Sequence, residues 1–174
     1  MKQIILNNNQ ITEIEPGAFN GLDNLNSLDL GSNKITKIKP GAFNGLDNLN
    51  TLMLVNNQIT EIEPGLFKDL KKLTYLNLNQ NQITKIKRGA FNGLDNLDTL
   101  FLGHNQITNI EFYAFNGLAN LKNIFLWGNK SLKFLTIKTV TIKNENIEHK
   151  FLNSFNVSRS PVFTGLSENI KIHV

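Results

Sequence analysis

One phrase of residues returns every twenty-four positions, and this constrains the fold more than any other feature. It is clearest at Leu49, Leu52, Leu54, Asn57, Ile59, Ile62, Phe67 and Leu70. Leu73, Leu76, Leu78, Asn81, Ile83, Ile86, Phe91 and Leu94 repeat it downstream, and Leu25, Leu28, Leu30, Asn33, Ile35, Ile38, Phe43 and Leu46 upstream. The period runs without slippage from Met1, Ile4 and Leu6 to Leu121, Ile124 and Leu126, so copies begin at residues 1, 25, 49, 73, 97 and 121. A fixed period of this length marks a stacked array rather than a globule around one centre. One copy holds too few apolar side chains to offset the entropy of ordering its own backbone. The copies must therefore stack, each covering its neighbour's apolar face.

The spacing inside a copy gives the shape of a coil. Leu52 and Leu54 flank Met53, which is strand periodicity, so each coil contributes one strand to a parallel sheet. The leucines face inward and the intervening residues outward. An asparagine follows each strand (Asn9, Asn33, Asn57, Asn81, Asn105, Asn129), and a column at one position points to buried amides bonding the backbone of the next coil. A Phe column (Phe19, Phe43, Phe67, Phe91, Phe115) should form an aromatic spine on the back. Pro16, Pro40 and Pro64, each before a glycine, mark tight turns ahead of it.

These residues resemble the leucine-rich repeat pattern L-x-x-L-x-L-x-x-N-x-[IL]. The longer form N-x-I-T-x-I-x-x-G-A-F-x-G-L is similar to the typical twenty-four-residue subfamily of Toll-like receptors, Slit-type extracellular proteins and many bacterial surface or effector proteins. The resemblance covers residues 1–129. It implies a right-handed leucine-rich repeat solenoid with a concave parallel β-sheet and a mostly irregular or short 3-10 convex side. It also implies that the concave sheet binds another protein or peptide. Fold alone does not name the partner.

Composition narrows the function classes. Residues 1–129 hold eleven basic and eleven acidic residues, and 130–174 hold seven and three, so the whole excess of +4 lies in the tail. That balance argues against a uniformly basic face, and no nucleic-acid partner is expected. No run approaches the ~20 apolar residues of a membrane span, so no membrane insertion is expected. The start, MKQIILNNN, lacks an apolar signal core, which leaves secretion and cell-surface display open. Cysteine is absent, unlike the disulfide-linked caps usual in animal extracellular members, and the Asn-, Lys- and Ile-rich composition fits an AT-rich bacterial genome. No metal-ligand spacing, phosphate loop or nucleophile motif occurs, so neither cofactor nor intrinsic enzyme activity is expected. The sequon at Asn129 falls on the asparagine column, where its amide should be buried; that at Asn156 does not.

Departures from the period mark the ends and the flank. Glu13, Lys37, Glu61 and Lys85 alternate in sign, as do Glu15, Lys39, Glu63 and Lys87, which reads as two ladders between adjacent coils and as duplication of a two-coil unit. Coil five replaces the Pro-Gly pair with Phe112-Tyr113, expected either to receive the C-terminal segment or to form a second binding patch. Residues 130–174 lose the pattern: Phe134 onward alternates like a strand, 144–160 is loop-like, and Phe163, Leu166, Ile170, Ile172 and Val174 suggest a divergent C-terminal cap ending in a strand. Coil one has no cap ahead of it, so its edge is expected to belong to a longer protein or to make end-to-end contact.

The variable strand positions are where binding should lie, because the scaffold positions are already committed. Candidate partner-binding residues are Met53, Val55, Tyr75, Asn77, Phe101, His104, Phe125 and Trp127. Large side chains gather toward the C-terminal half, and Gly31 and Gly103 are expected to leave hollows between them. An exposed aromatic cluster with no folding duty marks an interaction surface. The alternatives are a structural spacer or display array, and the substrate-recognition part of a larger enzyme. A cap curling over Phe125 and Trp127 would shrink the surface to Tyr75 and Phe101.

Overall fold

The computed structural model describes residues 2–130, 132 and 170–173. Its strands are β1 (Gln3–Ile5), β2 (Glu13–Ile14), β3 (Ser27–Asp29), β4 (Lys37–Ile38), β5 (Thr51–Met53), β6 (Tyr75–Asn77), β7 (Lys85–Ile86), β8 (Thr99–Phe101), β9 (Asn109–Ile110), β10 (Asn123–Phe125) and β11 (Lys171–His173). Seven form one parallel sheet in the order β1-β3-β5-β6-β8-β10-β11. Equivalent residues of successive coils stand opposite one another: Ser27 opposite Thr51, Thr51 opposite Tyr75, Tyr75 opposite Thr99. The chain is a parallel-sheet leucine-rich solenoid. Each strand's middle residue points inward, and from Leu28 to Ile124 it is fully buried. The strands are short because the coil must turn immediately to bring the next leucine and isoleucine back over the same core.

The asparagine column is buried and its amides bind backbone, but of the preceding coil rather than the next. Asn57 Nδ2 donates to Leu30 O at 3.0 Å and to Leu54 O at 3.2 Å, while its Oδ1 accepts the Ile35 N–H at 3.0 Å. Asn33, Asn81, Asn105 and Asn129 repeat the arrangement. Asn129, the first sequon residue, thus has its amide fully committed; Asn156 lies outside the described residues. Asn9 is exposed, and its Nδ2 reaches only Leu6 O and Asn7 O of its own coil. The residue before each asparagine takes the left-handed conformation: Asn8, Ser32, Asn56, Gln80 and His104 have φ of 52–55°, and Gly128 has 73°. This costs roughly 1–2 kcal/mol per non-glycine residue. It turns the chain so that the N–H of each of the five non-glycine residues reaches a carbonyl of the following coil, as from His104 to Trp127 O at 2.7 Å.

The back of the coil is a series of tight turns closed by three-residue hydrogen bonds, such as Ala42 N–H to Lys39 O and Asn44 N–H to Gly41 O. There is no helix among the described residues, and so none long and apolar enough to cross a membrane. Behind the turns Phe19, Phe43, Phe67, Phe91 and Phe115 stack at 5.8–6.4 Å between ring centres.

The charged flank is paired rather than continuous. Lys39 Nζ holds both Glu13 (3.2 Å) and Glu15 (2.6 Å), and Lys87 Nζ holds both Glu61 (2.9 Å) and Glu63 (3.1 Å). Lys85 pairs with Glu111. The turn bonds Gly17 N–H to Gly41 O and Gly65 N–H to Gly89 O follow the same two-coil rhythm. Between coils two and three this flank has neither ion pair nor strand pairing among the described residues. The expected ladders of alternating sign are therefore separate clamps. A lysine reaching back can chelate both carboxylates of one coil, and it then has no reach left for the coil ahead. Residues 133–169, which hold the strand and loop expected after Phe134, lie outside the described residues, as do Met1 and Val174.

Two outcomes follow from this packing. Asn57→Leu should destabilise the fold by about 2–4 kcal/mol in chemical denaturation, because buried backbone groups lose their partners. Asn9→Ala should cost under about 0.5 kcal/mol; equal losses would remove the ladder from the account. Lys39→Glu should lower the melting temperature at low salt while Lys37→Glu leaves it nearly unchanged. The glutamates raise the pKa of Lys39, and Lys87 chiefly lowers that of Glu61. The clamps' contribution should thus be complete between the ordinary values of 4.5 and 10.5, fading as pH falls through the lowered Glu61 value or rises through the raised Lys39 value. A melting temperature equally insensitive to both reversals would contradict the clamps.

Candidate recognition surface

The concave face carries a continuous run of aromatic rings. Phe101, Phe125 and His173 occupy one outward position on neighbouring strands β8, β10 and β11. Adjacent strands lie about 4.8 Å apart, so rings at equal positions are held at stacking distance. Phe101 and Phe125 stack at 4.4 Å with planes 8° apart, and Phe125 and His173 at 4.2 Å with planes 19° apart. Tyr75 sits two residues earlier along its strand and reaches Phe101 diagonally at 5.2 Å. Trp127 closes the other side, edge-on to Phe125 at 4.9 Å and to Phe101 at 6.2 Å. His104 stands edge-on to Trp127 at 6.3 Å. All six rings keep part of their surface in solvent.

The eight residues singled out in the sequence are only partly brought together. Tyr75, Phe101, Phe125, Trp127 and His104 form the cluster. Met53 and Val55 are half-exposed further along the sheet. Asn77 is a correction: it is 8% exposed, and its Oδ1 accepts the Asn79 N–H at 3.0 Å. Met53 and Phe101 flank it in register, so it is sheltered between them and offers little of its own surface. The glycines are a second correction. A Cβ on Gly103 would stand 2.9 Å from Trp127 Nε1, and one on Gly31 would stand 3.1 Å from Val55 Cγ1. Gly103 is not a hollow; it is the space the indole fills. His173 went unrecognised as a site residue. Its only signal was the phrase IKIHV, in which His173 holds the outward position between Ile172 and Val174.

The described end of the chain extends the sheet instead of curling over it. β11 pairs with β10 in parallel, two repeat lengths further along the sequence, and Leu126 N–H donates to His173 O. Burial, then the Lys171 charge, lowers the His173 pKa, and its buried Nε2 has no hydrogen-bond partner among the described residues. Burial likewise raises the Tyr75 pKa, so both rings are neutral near pH 7. A polar notch of about 340 Å³ borders the run, lined by Thr74, Tyr75, Asn96, Asp98, Thr99 and Lys122 among others. Asp98 there accepts the Thr99 hydroxyl and pairs with Lys122, which chiefly lowers its pKa. The notch is thus an internally satisfied rim. Among the described residues no three His, Cys, Asp or Glu side chains converge in a way that could hold a metal ion.

Comparison with known proteins sets this geometry in context. A family model described as "Leucine rich repeat" matches residues 1–59, 47–107 and 76–130. No curated protein matches the sequence. Among solved structures, a chain from the crystal structure of a TLR13–ssRNA13 complex is 36% identical, with a TM-score of 0.67 over 72% of this chain. The present chain spans 18% of that relative's length. Leucine-rich repeat chains are generally recognition modules for proteins or other ligands, and are typically non-catalytic. The expectation that nucleic acid is excluded as a partner is corrected by this neighbour, since a similar array occurs in complex with single-stranded RNA. That expectation rested on the summed charge of the coils, which does not report how a single face is lined.

The Trp127 placement has a direct test, because it is the sole tryptophan. Gly103→Ala should displace the indole, shift its emission to longer wavelength and lower the melting temperature. An unchanged spectrum would contradict the packing of Trp127 on Gly103.

Proposed function

Since the chain belongs to the leucine-rich repeat family, we propose that its concave sheet recognises a protein or peptide through the aromatic run from Tyr75 to Trp127. In this reading residues 1–129 form the array and 130–174 close it. The observation that carries the reading is the unbroken stack of partly exposed rings at positions with no part in the core, the ladder or the spine. Tyr and Trp are the residue types that dominate binding hot spots, and rings already held by one another lose little freedom on binding. A spacer or display array has no need for such a cluster, and its irregular placement contrasts with the near-identical convex segments. A role as the recognition part of a larger enzyme uses the same surface. The cysteine-free, Asn- and Lys-rich composition supports a bacterial secreted, surface or effector setting.

A second reading, single-stranded RNA, is favoured by the TLR13–ssRNA13 neighbour. Stacked rings are platforms for bases. Such platforms work beside a cationic groove that tracks the phosphates. Of the lysines beside the run, Lys122 is already paired with Asp98, which leaves Lys171 on β11 at one end of it among the described residues. A lone cation at one end does not track a phosphate backbone, which favours the peptide.

Selection from a displayed peptide library, with a short single-stranded RNA as competitor, separates the two. The selected peptides should bind the wild type and lose at least about tenfold in affinity, or ~1.4 kcal/mol, to Tyr75→Ala with Phe101→Ala, whose fold remains intact by circular dichroism. Unchanged affinity would move the site elsewhere. Binding of RNA alone, weakening steeply with salt, would establish the second reading.

A further inference from the structure

The convex face carries a second aromatic feature that the concave reading does not use. At the turn where coils one to three place Pro-Gly, coil four has Arg88-Gly89 and coil five has Phe112-Tyr113. Phe112 is 53% exposed and Tyr113 40%. Tyr113 has φ 61°, the conformation that Gly17, Gly41, Gly65 and Gly89 supply in the other coils. A ring side chain held there is strained, at a position where coils one to four all place glycine. The Arg88 guanidinium carbon lies 5.3 Å from the centre of the Tyr113 ring.

Around these residues runs a groove of about 430 Å³, lined by Arg88, Asn109, Ile110, Glu111, Phe112 and Tyr113. Its charges are unequal in availability. Glu111 is spent, since its carboxylate pairs with Lys85 and accepts the Arg88 N–H at 2.8 Å. The Arg88 guanidinium has no carboxylate partner among the described residues. The groove therefore presents a cation with free donors over the Tyr113 ring, with the exposed Phe112 in the same lining. The chain's own residues 131–169 are a poor match in sign, holding five basic against three acidic residues.

The geometry points to a second docking site on the convex face of coil five, for an acidic peptide segment of another protein that carries a large apolar side chain. Its carboxylate meets the Arg88 fork and its apolar group lies on Phe112 and Tyr113, over Ile110. Guanidinium and carboxylate match in two-point geometry, which lysine would not reproduce.

The test uses a fluorescein-labelled peptide of alternating Glu and Phe, with Gln-for-Glu and Lys-for-Glu versions as controls, in fluorescence polarisation. The Glu peptide should bind at least about tenfold more tightly than either control, and Arg88→Gln should erase that preference. Phe112→Pro with Tyr113→Gly restores the turn of the other coils. It should abolish binding while the melting temperature holds or rises, which separates a lost site from a lost fold. Tyr75→Ala with Phe101→Ala should leave this binding unchanged, so the site stands or falls apart from the concave one. Equal binding of all three peptides, no binding by the wild type, or full binding by the Pro-Gly variant would overturn the proposal. So would altered hydrogen exchange in residues 133–169 of that variant, which would make the chain's own segment the occupant.

Discussion

A buried amide reaching back into the coil behind it is the interaction on which the architecture depends. After each strand the backbone must leave the sheet and turn through the core, where its N–H and C=O groups find no water. Asn57 meets three such groups at once, two carbonyls and the Ile35 N–H. Two of them belong to the preceding coil, so the bond fixes the spacing of coils as well as the turn within one. No other uncharged side chain offers two donors and an acceptor at so short a reach except glutamine, whose extra methylene would not fit a fixed repeat. The leucines supply the driving force, but they are non-directional. The amides convert that force into one defined stacking.

With stacking fixed by inward residues, the outward ones are released from folding. This explains why the concave face varies from coil to coil while leucine, asparagine and phenylalanine positions hardly change. It also explains how rings become a surface. Parallel in-register strands place equal positions at a constant spacing, so substituting Phe at 101 and 125 and His at 173 creates a stack without further design. Gly103 then leaves space for Trp127, and the left-handed turn at residue 104 presents His104 beside it. The convex flank follows the opposite logic. Its turns are nearly identical in coils one to four, so the Phe112-Tyr113 departure stands out against a regular background.

Much of this was legible in the sequence, because a period states which residues are equivalent. Strand positions, the buried asparagines and the stacked Phe19-to-Phe115 spine all follow from equivalence alone. What a period does not state is direction and pairing. It could not show that Asn57 bonds backward, or that Lys39 takes both Glu13 and Glu15 and so leaves Glu61 to Lys87. Those choices depend on side-chain reach across the coil twist. Nor could it show that Gly103 is covered by the indole, or that Asn77 is sheltered between Met53 and Phe101. Neighbour size decides both. His173 escaped notice because it lies past the last regular copy, two repeat lengths from its partner strand.

Residue-resolved native-state hydrogen exchange tests the central claim most directly. If the amide ladder holds the coils, the N–H groups of Ile35, Ile59, Ile83 and Ile107, each accepted by an asparagine Oδ1, exchange only through global unfolding. They should share one free energy of opening, above that of the outward-facing turns. Exchange of these four at the rate of solvent-exposed amides, with the strands still protected, would show that the asparagines do not hold the stack.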